Sequence, residues 1–296
     1  MIKQNDFSII IPTIADIKTI KKLIYFLEKQ NFAPREVIVV STKKIFFRSK
    51  KLKIKFIKCK ISNQVHQRLL GLKKMSKKTK IFIQLDDKVI LKKNALKELK
   101  NSWNKYLQKD VIGIGFNQLN LTHNYNLFHS ITLTGSKIKG KILKSGFCSD
   151  YSNVKKDTYV EWLKGGLSSW HIAKTKNVFK RKFPKIPWCI CEDLIFSKLQ
   201  NKKFKLIVSS RSNVIVNSKD NKNLSYIDNF LKGYMHIQMT KSFVVGFKFS
   251  IIIFLYSVLS NIILSTLKSI FTLNIKNLFF IYGKFLGLFG KTEIIR

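Results

Sequence analysis

Residues 7–41 read FSIIIPTIADIKTIKKLIYFLEKQNFAPREVIVVS, and this stretch decides the fold. The run at 7–11 is mostly apolar and is stopped by Pro12, as in a buried parallel strand reaching its loop. Over 16–30 the apolar residues fall at Ile17, Ile20, Leu23, Ile24 and Leu27, a helical spacing. Val37, Ile38, Val39 and Val40 then form a second buried strand. Strand, helix and strand in this order make a β-α-β unit, which builds a parallel sheet through a right-handed crossover.

The pattern continues outward. A third strand is expected at 54–57, a helix at 64–74, and a fourth strand at 80–85 that ends in Asp86-Asp87. A helix at 93–107 carries Leu96, Leu99, Trp103 and Leu107 on one side. Short strands are expected at 111–116 and 127–133, an apolar stretch broken by Gly165 and Gly166 at 159–173, a helix at 192–200 and a strand at 205–208. The fold class is therefore α/β, with no internal repeat.

Composition narrows the function. The chain has 296 residues, 56 Lys+Arg against 16 Asp+Glu, and a net charge of +40. Arg stands at only six positions, so the excess is almost all Lys, spread along the chain with abundant Ile, Asn and Phe. Nucleic-acid readers rely on the planar Arg fork, and no nucleic-acid partner is expected. Anionic lipid surfaces and phosphorylated ligands are attracted at long range. Four cysteines at 59, 148, 189 and 191 give neither a disulfide framework nor a CxxC knuckle, consistent with a reducing compartment. The N-terminus enters FSIIIPTI with no basic-then-apolar leader, which points away from secretion.

The C-terminal end changes character. Residues 249–267 hold no Asp, Glu, Lys, Arg or His, close to the ~20 residues that cross a bilayer core. The next segment is apolar but carries Lys276, Lys284 and Lys291, whose spacing keeps them within roughly 80° of one another at 100° per residue. This is the pattern of a lysine-edged helix in the headgroup region. A membrane-associated segment over 241–296, following a domain over 1–240, is expected, with the Lys-rich bulk on the cytoplasmic side.

Two acidic pairs carry the candidate chemistry. Asp86-Asp87 stand at the C-terminal end of an apolar strand, where open α/β sheets bind ligands. Glu192-Asp193 open a helix, a position that keeps a carboxylate hydrogen-bonded and ionised.

The order FSIIIPT, EVIVVS, QVHQRLLGLKK, IQLDDK, WLKGG and CEDLIFSKLQNKKFKL, over residues 7 to about 208, resembles the family-2 glycosyltransferases of the GT-A fold. The resemblance implies a Rossmann-like, mixed but mostly parallel sheet flanked by helices, with the C-terminal membrane-associated helices appended. It implies inverting transfer from a nucleotide-sugar donor to a glycan or polyprenyl-linked acceptor in surface polysaccharide synthesis, at the cytoplasmic face of the cell membrane. Its donor-binding positions fall on Pro12, Thr13, Ser41, Gln67, Arg68, Asp86, Asp87 and Lys88, with Gly71 beside them. Gly165, Gly166 and Trp188 would meet the donor sugar and acceptor. Asp193 would be the general base, with Glu192 as its neighbour.

This sequence departs from the family at three points. The third acidic position is Lys88, the second strand ends in Ser41 rather than Asp, and Asn217 stands where a His commonly follows the last strand. A divalent metal, Mg or Mn, would be left with Asp87, and Lys88 would supply counter-charge for the diphosphate instead. The rival readings are another group transfer on the same scaffold and a catalytically decayed binding protein at the membrane surface.

Overall fold

The computed structural model describes residues 1–122, 125–175, 191–200, 204–217 and 224–290. Trp188 and Lys291 lie outside the described residues. The chain divides into two compact units, one of 1–122, 151–180 and 196–217 and the other of 123–150, 181–195 and 218–296.

The first unit holds the sheet. Its strands are β1 (Phe7–Thr13), β2 (Glu36–Ser41), β3 (Ile54–Lys58), β4 (Ile81–Leu85), β5 (Val89–Leu91), β6 (Val111–Gln118), β7 (Thr158–Val160), β8 (Leu167–His171) and β9 (Lys205–Val216). Among the described residues they run in the order β3-β2-β1-β4-β8-β6-β9-β5, with β7 beside β9. β3, β2, β1 and β4 are mutually parallel. β8 runs against both β4 and β6, and β9 is parallel to β6. The α/β, mostly parallel fold expected from the sequence is the one observed.

Helices cover both faces. α1 (Ile17–Glu28) begins at Asp16, whose side chain accepts the Thr19 N–H at 2.8 Å. It buries Ile20, Leu23, Ile24 and Leu27, whereas Ile17 is exposed. α3 (Ala95–Tyr106) buries Leu96, Leu99 and Trp103, and these join α1 against Ile9, Ile11, Val37, Val39, Ile81 and Ile83. The alternate side chains face the other way, toward α2 (Gln64–Lys73). There Gly71 lies so close to β1 that a Cβ would meet Ile10 Cγ2 at 2.6 Å.

Three strands escaped the sequence reading, and one expected strand is a helix. β5 and β7 have three residues each, too few for a period. β8 reads LSSWH, with two serines that break the apolar run. Both are fully buried and paired. Ser169 accepts the Trp103 indole N–H at 2.9 Å and donates to Ile114 O at 2.8 Å, and Ser168 accepts the Trp170 indole N–H at 2.9 Å. Residues 127–133, expected as a strand, contain instead α4 (Leu127–Ile131), which starts where Asn126 Oδ1 accepts the His129 N–H at 3.2 Å.

The second unit contains α4, the first turn of α5 (Glu192–Gln200), α6 (Tyr226–Gly246), α7 (Ile251–Phe271) and α8 (Ile275–Phe289). Residue 240 falls inside α6. α6 and α8 pack backbone to backbone through glycine. A Cβ on Gly233 would sit 2.0 Å from Phe280 O, and one on Gly283 would sit 2.1 Å from Phe230 O. Lys284 corrects an expectation: it is buried in this helical unit, donating to Asn261 Oδ1 at 2.8 Å, and is not on an outer lysine edge. Lys276 is exposed as expected. Among the described residues α7 alone is long and apolar enough to cross a membrane, and only 17% of its most apolar window is buried. Ile252, Leu259, Ile263 and Phe271 on it are exposed.

Candidate functional site

The strand order reverses at β1: β2 and β3 lie to one side and β4 to the other. A crevice forms at such a switch point outside the carboxyl ends of the strands. The ends of β1, β2 and β4 deliver Thr13, Ser41 and Asp86-Asp87 to this edge. β8 is reversed and registers Leu167 against Leu85, so the residues that precede it, Gly165 and Gly166, arrive at the same place.

Hydrogen bonds tie the pieces together. Thr13 Oγ1 donates to Asp87 Oδ2 at 2.5 Å, and Gln67 Nε2 donates to Thr13 O at 2.9 Å. Asp86 Oδ1 accepts from Arg68 Nη2 at 3.0 Å and from Gln64 Nε2 at 2.6 Å. Gln64, Gln67 and Arg68 reach this point because residues three and four apart share a helix face. Asn63 caps that helix by accepting the His66 N–H at 2.9 Å. Asp86 N donates to Gly166 O at 3.0 Å. A Cβ on Gly166 would lie 2.0 Å from Asp86 Cγ, and one on Gly165 would lie 2.7 Å from Arg68 Nη1. Both glycines are required by close approach.

The two carboxylates differ in setting. Asp86 rests on the buried Arg68 guanidinium, a charge-assisted contact. Burial pushes the Asp87 carboxyl above its usual range, and the Asp86 charge adds to this, while the Thr13 hydroxyl opposes it. An acid whose pKa is raised by folding destabilises the fold once ionised, a cost that sets in as pH rises through its pKa. Asp87→Asn should therefore raise the thermal midpoint at pH 7 and give no midpoint gain near pH 3. Melting curves at the two pH values check it; a lower midpoint at pH 7 contradicts it.

Other expected positions are placed as follows. Pro12 is buried in β1 opposite Val40. Ser41 is buried beside Thr13, and its hydroxyl accepts the Lys43 N–H at 3.0 Å. Lys88 is half-buried, and its carbonyl accepts the Asn217 N–H at 3.1 Å, so the chain after β9 is joined to the Asp-Asp turn. Glu192 and Asp193 are half-buried in the first turn of α5 and belong to the second unit. Asp193 Oδ1 accepts the Leu194 N–H at 2.9 Å.

The sequence reading missed Gln64 and Lys164. Lys164 precedes the glycine pair and donates through Nζ to Gln118 Oε1 at 2.9 Å and to Ser152 Oγ at 2.7 Å. Its place inside the WLKGG motif was the available signal. Among the described residues no three His, Cys, Asp or Glu side chains gather as a metal cage. The donor set offers two carboxylates, and Asp86 already serves Arg68 and Gln64. A hard divalent ion would rest on Asp87 and on a ligand's own phosphates.

No family model and no curated protein matches the sequence. Solved structures do. Residues 1–349 of TarS from S. aureus align with 91% of this chain and 75% of that one, at 15% identity and a TM-score of 0.55. The same protein in complex with UDP-GlcNAc gives 16% identity, 91% and 76% coverage, and a TM-score of 0.53. The mannosyltransferase PcManGT from Pyrobaculum calidifontis, in complex with GDP-Man and Mn2+, covers 96% of this chain and 87% of its own, at 10% identity and a TM-score of 0.57. GalNAc-T7 with UDP, GalNAc and Mn2+ covers 81% and 48%, at 13% identity and a TM-score of 0.55. Identities this low establish a common fold, and that fold is the GT-A type.

Proposed function

We propose that this chain is a glycosyltransferase that moves a sugar from a nucleotide-diphosphate donor to an acceptor hydroxyl with inversion. The observation that carries the reading is the Thr13–Asp87 and Arg68–Asp86–Gly166 constellation at the switch point of a GT-A sheet. In this reading Pro12, Thr13, Ser41 and Gln67 border the nucleotide, and Asp86 and Asp87 hold ribose and sugar hydroxyls. Gly165 and Gly166 let the main chain approach the donor sugar. Asp193, with Glu192 beside it, takes the proton of the acceptor hydroxyl as that oxygen attacks the anomeric carbon. In this reading Lys88 supplies the positive charge that stabilises the departing diphosphate. A divalent ion at Asp87 would add Lewis-acid stabilisation when bound.

Incubating the purified chain with a panel of UDP-, GDP- and other nucleotide sugars tests the reading. Release of nucleotide diphosphate from one donor is expected. With Lys88 in place of the third acid, EDTA should lower the rate without abolishing it, and Mn2+ or Mg2+ should stimulate it. An absolute metal requirement would remove the role given to Lys88. Tight nucleotide binding with no turnover on any donor or acceptor would favour the second reading, a decayed binding protein.

The C-terminal helices support the choice of acceptor class. The functional division runs from a catalytic region over 1–240 to a membrane-associated segment over 241–296. The exposed apolar residues Ile252, Ile263 and Phe271 of α7, Leu273 after it and Phe289 of α8 support seating at a membrane, which in this reading is the cytoplasmic face of the cell membrane. A polyprenyl-linked glycan is confined to that surface, so anchoring raises its effective concentration; surface polysaccharide synthesis fits. Ile252, Leu259 and Ile263 replaced together by Ser should shift the protein from the membrane pellet to the supernatant on fractionation. Retention in the pellet would contradict the seating.

A further inference from the structure

A second pocket lies in the first unit and shares no residue with the constellation above. It has a volume of about 530 Å³ and is lined by one side of α3 (Glu98, Asn101, Ser102, Lys105, Tyr106), by 155–157 and by Ser210 and Arg211 of β9. Its shape comes from an irregularity in the sheet. Phe116 pairs with Ser209 but Asn117 pairs with Asn213, so residues 210–212 loop out of β9.

Two groups, the buried Asn117 and the half-buried Asp157, hold the walls together. Asn117, 2% exposed, donates to Ser210 O at 3.2 Å and to Val154 O at 3.1 Å, and accepts the Val154 N–H at 2.9 Å. Asp157 Oδ1 accepts from the Ser210 N–H and hydroxyl, both at 3.0 Å, and Oδ2 accepts from Lys105 Nζ at 3.0 Å and Tyr106 OH at 2.8 Å. Burial pushes this carboxyl up, yet the Ser210, Lys105 and Tyr106 hydrogen bonds outweigh it and hold the pKa at about 2. Its charge is therefore spent on the frame.

That leaves the pocket electropositive. Lys105 is matched by Asp157. Among the described residues no carboxylate lies within ion-pair distance of Lys155, Lys156 or Arg211, and Glu98 is the one other acid in the lining. The lining is hydroxyl and amide rather than aromatic. Tyr106, its one ring, is buried with its hydroxyl committed, so no face is offered for a base to stack on.

We propose that this pocket is a binding site for a phosphate ester, held by Lys155, Lys156 and Arg211 against the looped-out β9 and independent of the donor cleft. A guanidinium and two ammoniums meet three phosphate oxygens, and Ser and Asn groups suit the ester's polyol side. A soluble sugar phosphate and a phospholipid headgroup offer the same chemistry.

The test uses the full chain, a double variant, Lys156→Glu with Arg211→Glu, and a charge-matched control, Lys77→Glu with Lys78→Glu. All four positions are exposed, so the fold should tolerate them, which unchanged melting checks. Each protein is titrated calorimetrically with glucose 1-phosphate and sedimented with phosphatidylglycerol or phosphatidylcholine vesicles. The pocket variant should lose at least about tenfold in affinity for a phosphate probe while the control stays near wild type. Loss with glucose 1-phosphate identifies a soluble ester; loss with phosphatidylglycerol alone identifies a headgroup. Wild type that binds neither probe, a pocket variant that binds as wild type, or a control that loses as much would overturn the proposal.

Discussion

Asp193→Asn should lower the turnover of sugar transfer by about a thousandfold, within the range for removing a positioned general base. The nucleotide dissociation constant should not change. An amide at this place keeps the size of the carboxylate in the first turn of α5, so the protein should fold. What it loses is the capacity to take a proton from the acceptor hydroxyl. Stopped turnover assays with titration of the nucleoside diphosphate separate the two quantities. A variant that turns over like the wild type would strip Asp193 of its role. Equal loss of donor affinity would move it into the donor site.

Gly166→Ala should have the second largest effect, and on the other quantity. The new methyl would occupy the space of the Asp86 carboxylate, with both oxygens within 2.2 Å. Asp86 is short and must swing away, which breaks its contacts with Arg68 and Gln64. Hydrogen bonds to charged groups contribute roughly 1.5–3 kcal/mol, so donor affinity should fall by about ten- to a hundredfold. Gly165→Ala is the informative companion. Its methyl meets the far end of Arg68, a long side chain that can retreat, and its effect should be smaller. The reverse order would mean that Arg68, not Asp86, is the group a donor depends on.

Much of this was legible because physics writes it locally. The 7–41 unit, α2, α3 and the Asp86-Asp87 strand end all follow from apolar period and position, and Thr13, Gln67 and Arg68 are hydrogen-bonded at or beside that strand end. β8 was illegible for a definite reason: Ser168 and Ser169 interrupt its apolar run, and their burial is satisfied by partners a strand pattern does not show, the indole N–H groups of Trp170 and Trp103 and the Ile114 carbonyl. Lys284 failed likewise. Its helical angle suggested a polar edge, but Asn261, 23 residues away, accepts its ammonium inside the helical unit. Gln64 went unnoticed because a glutamine carries no signature until its partner, Asp86, is seen.

The direction of β8 has a practical side. Thr13 and Asp86 are reached where their strands finish, whereas Gly165 and Gly166 are reached before theirs starts. A change ahead of the glycine pair thus leaves the alignment of β1 with β4 untouched, within the limits set by β7 on β9 and by Lys164 on Gln118 and Ser152. A scaffold wired in this way can diversify what it accepts while the grip on what it donates stays fixed.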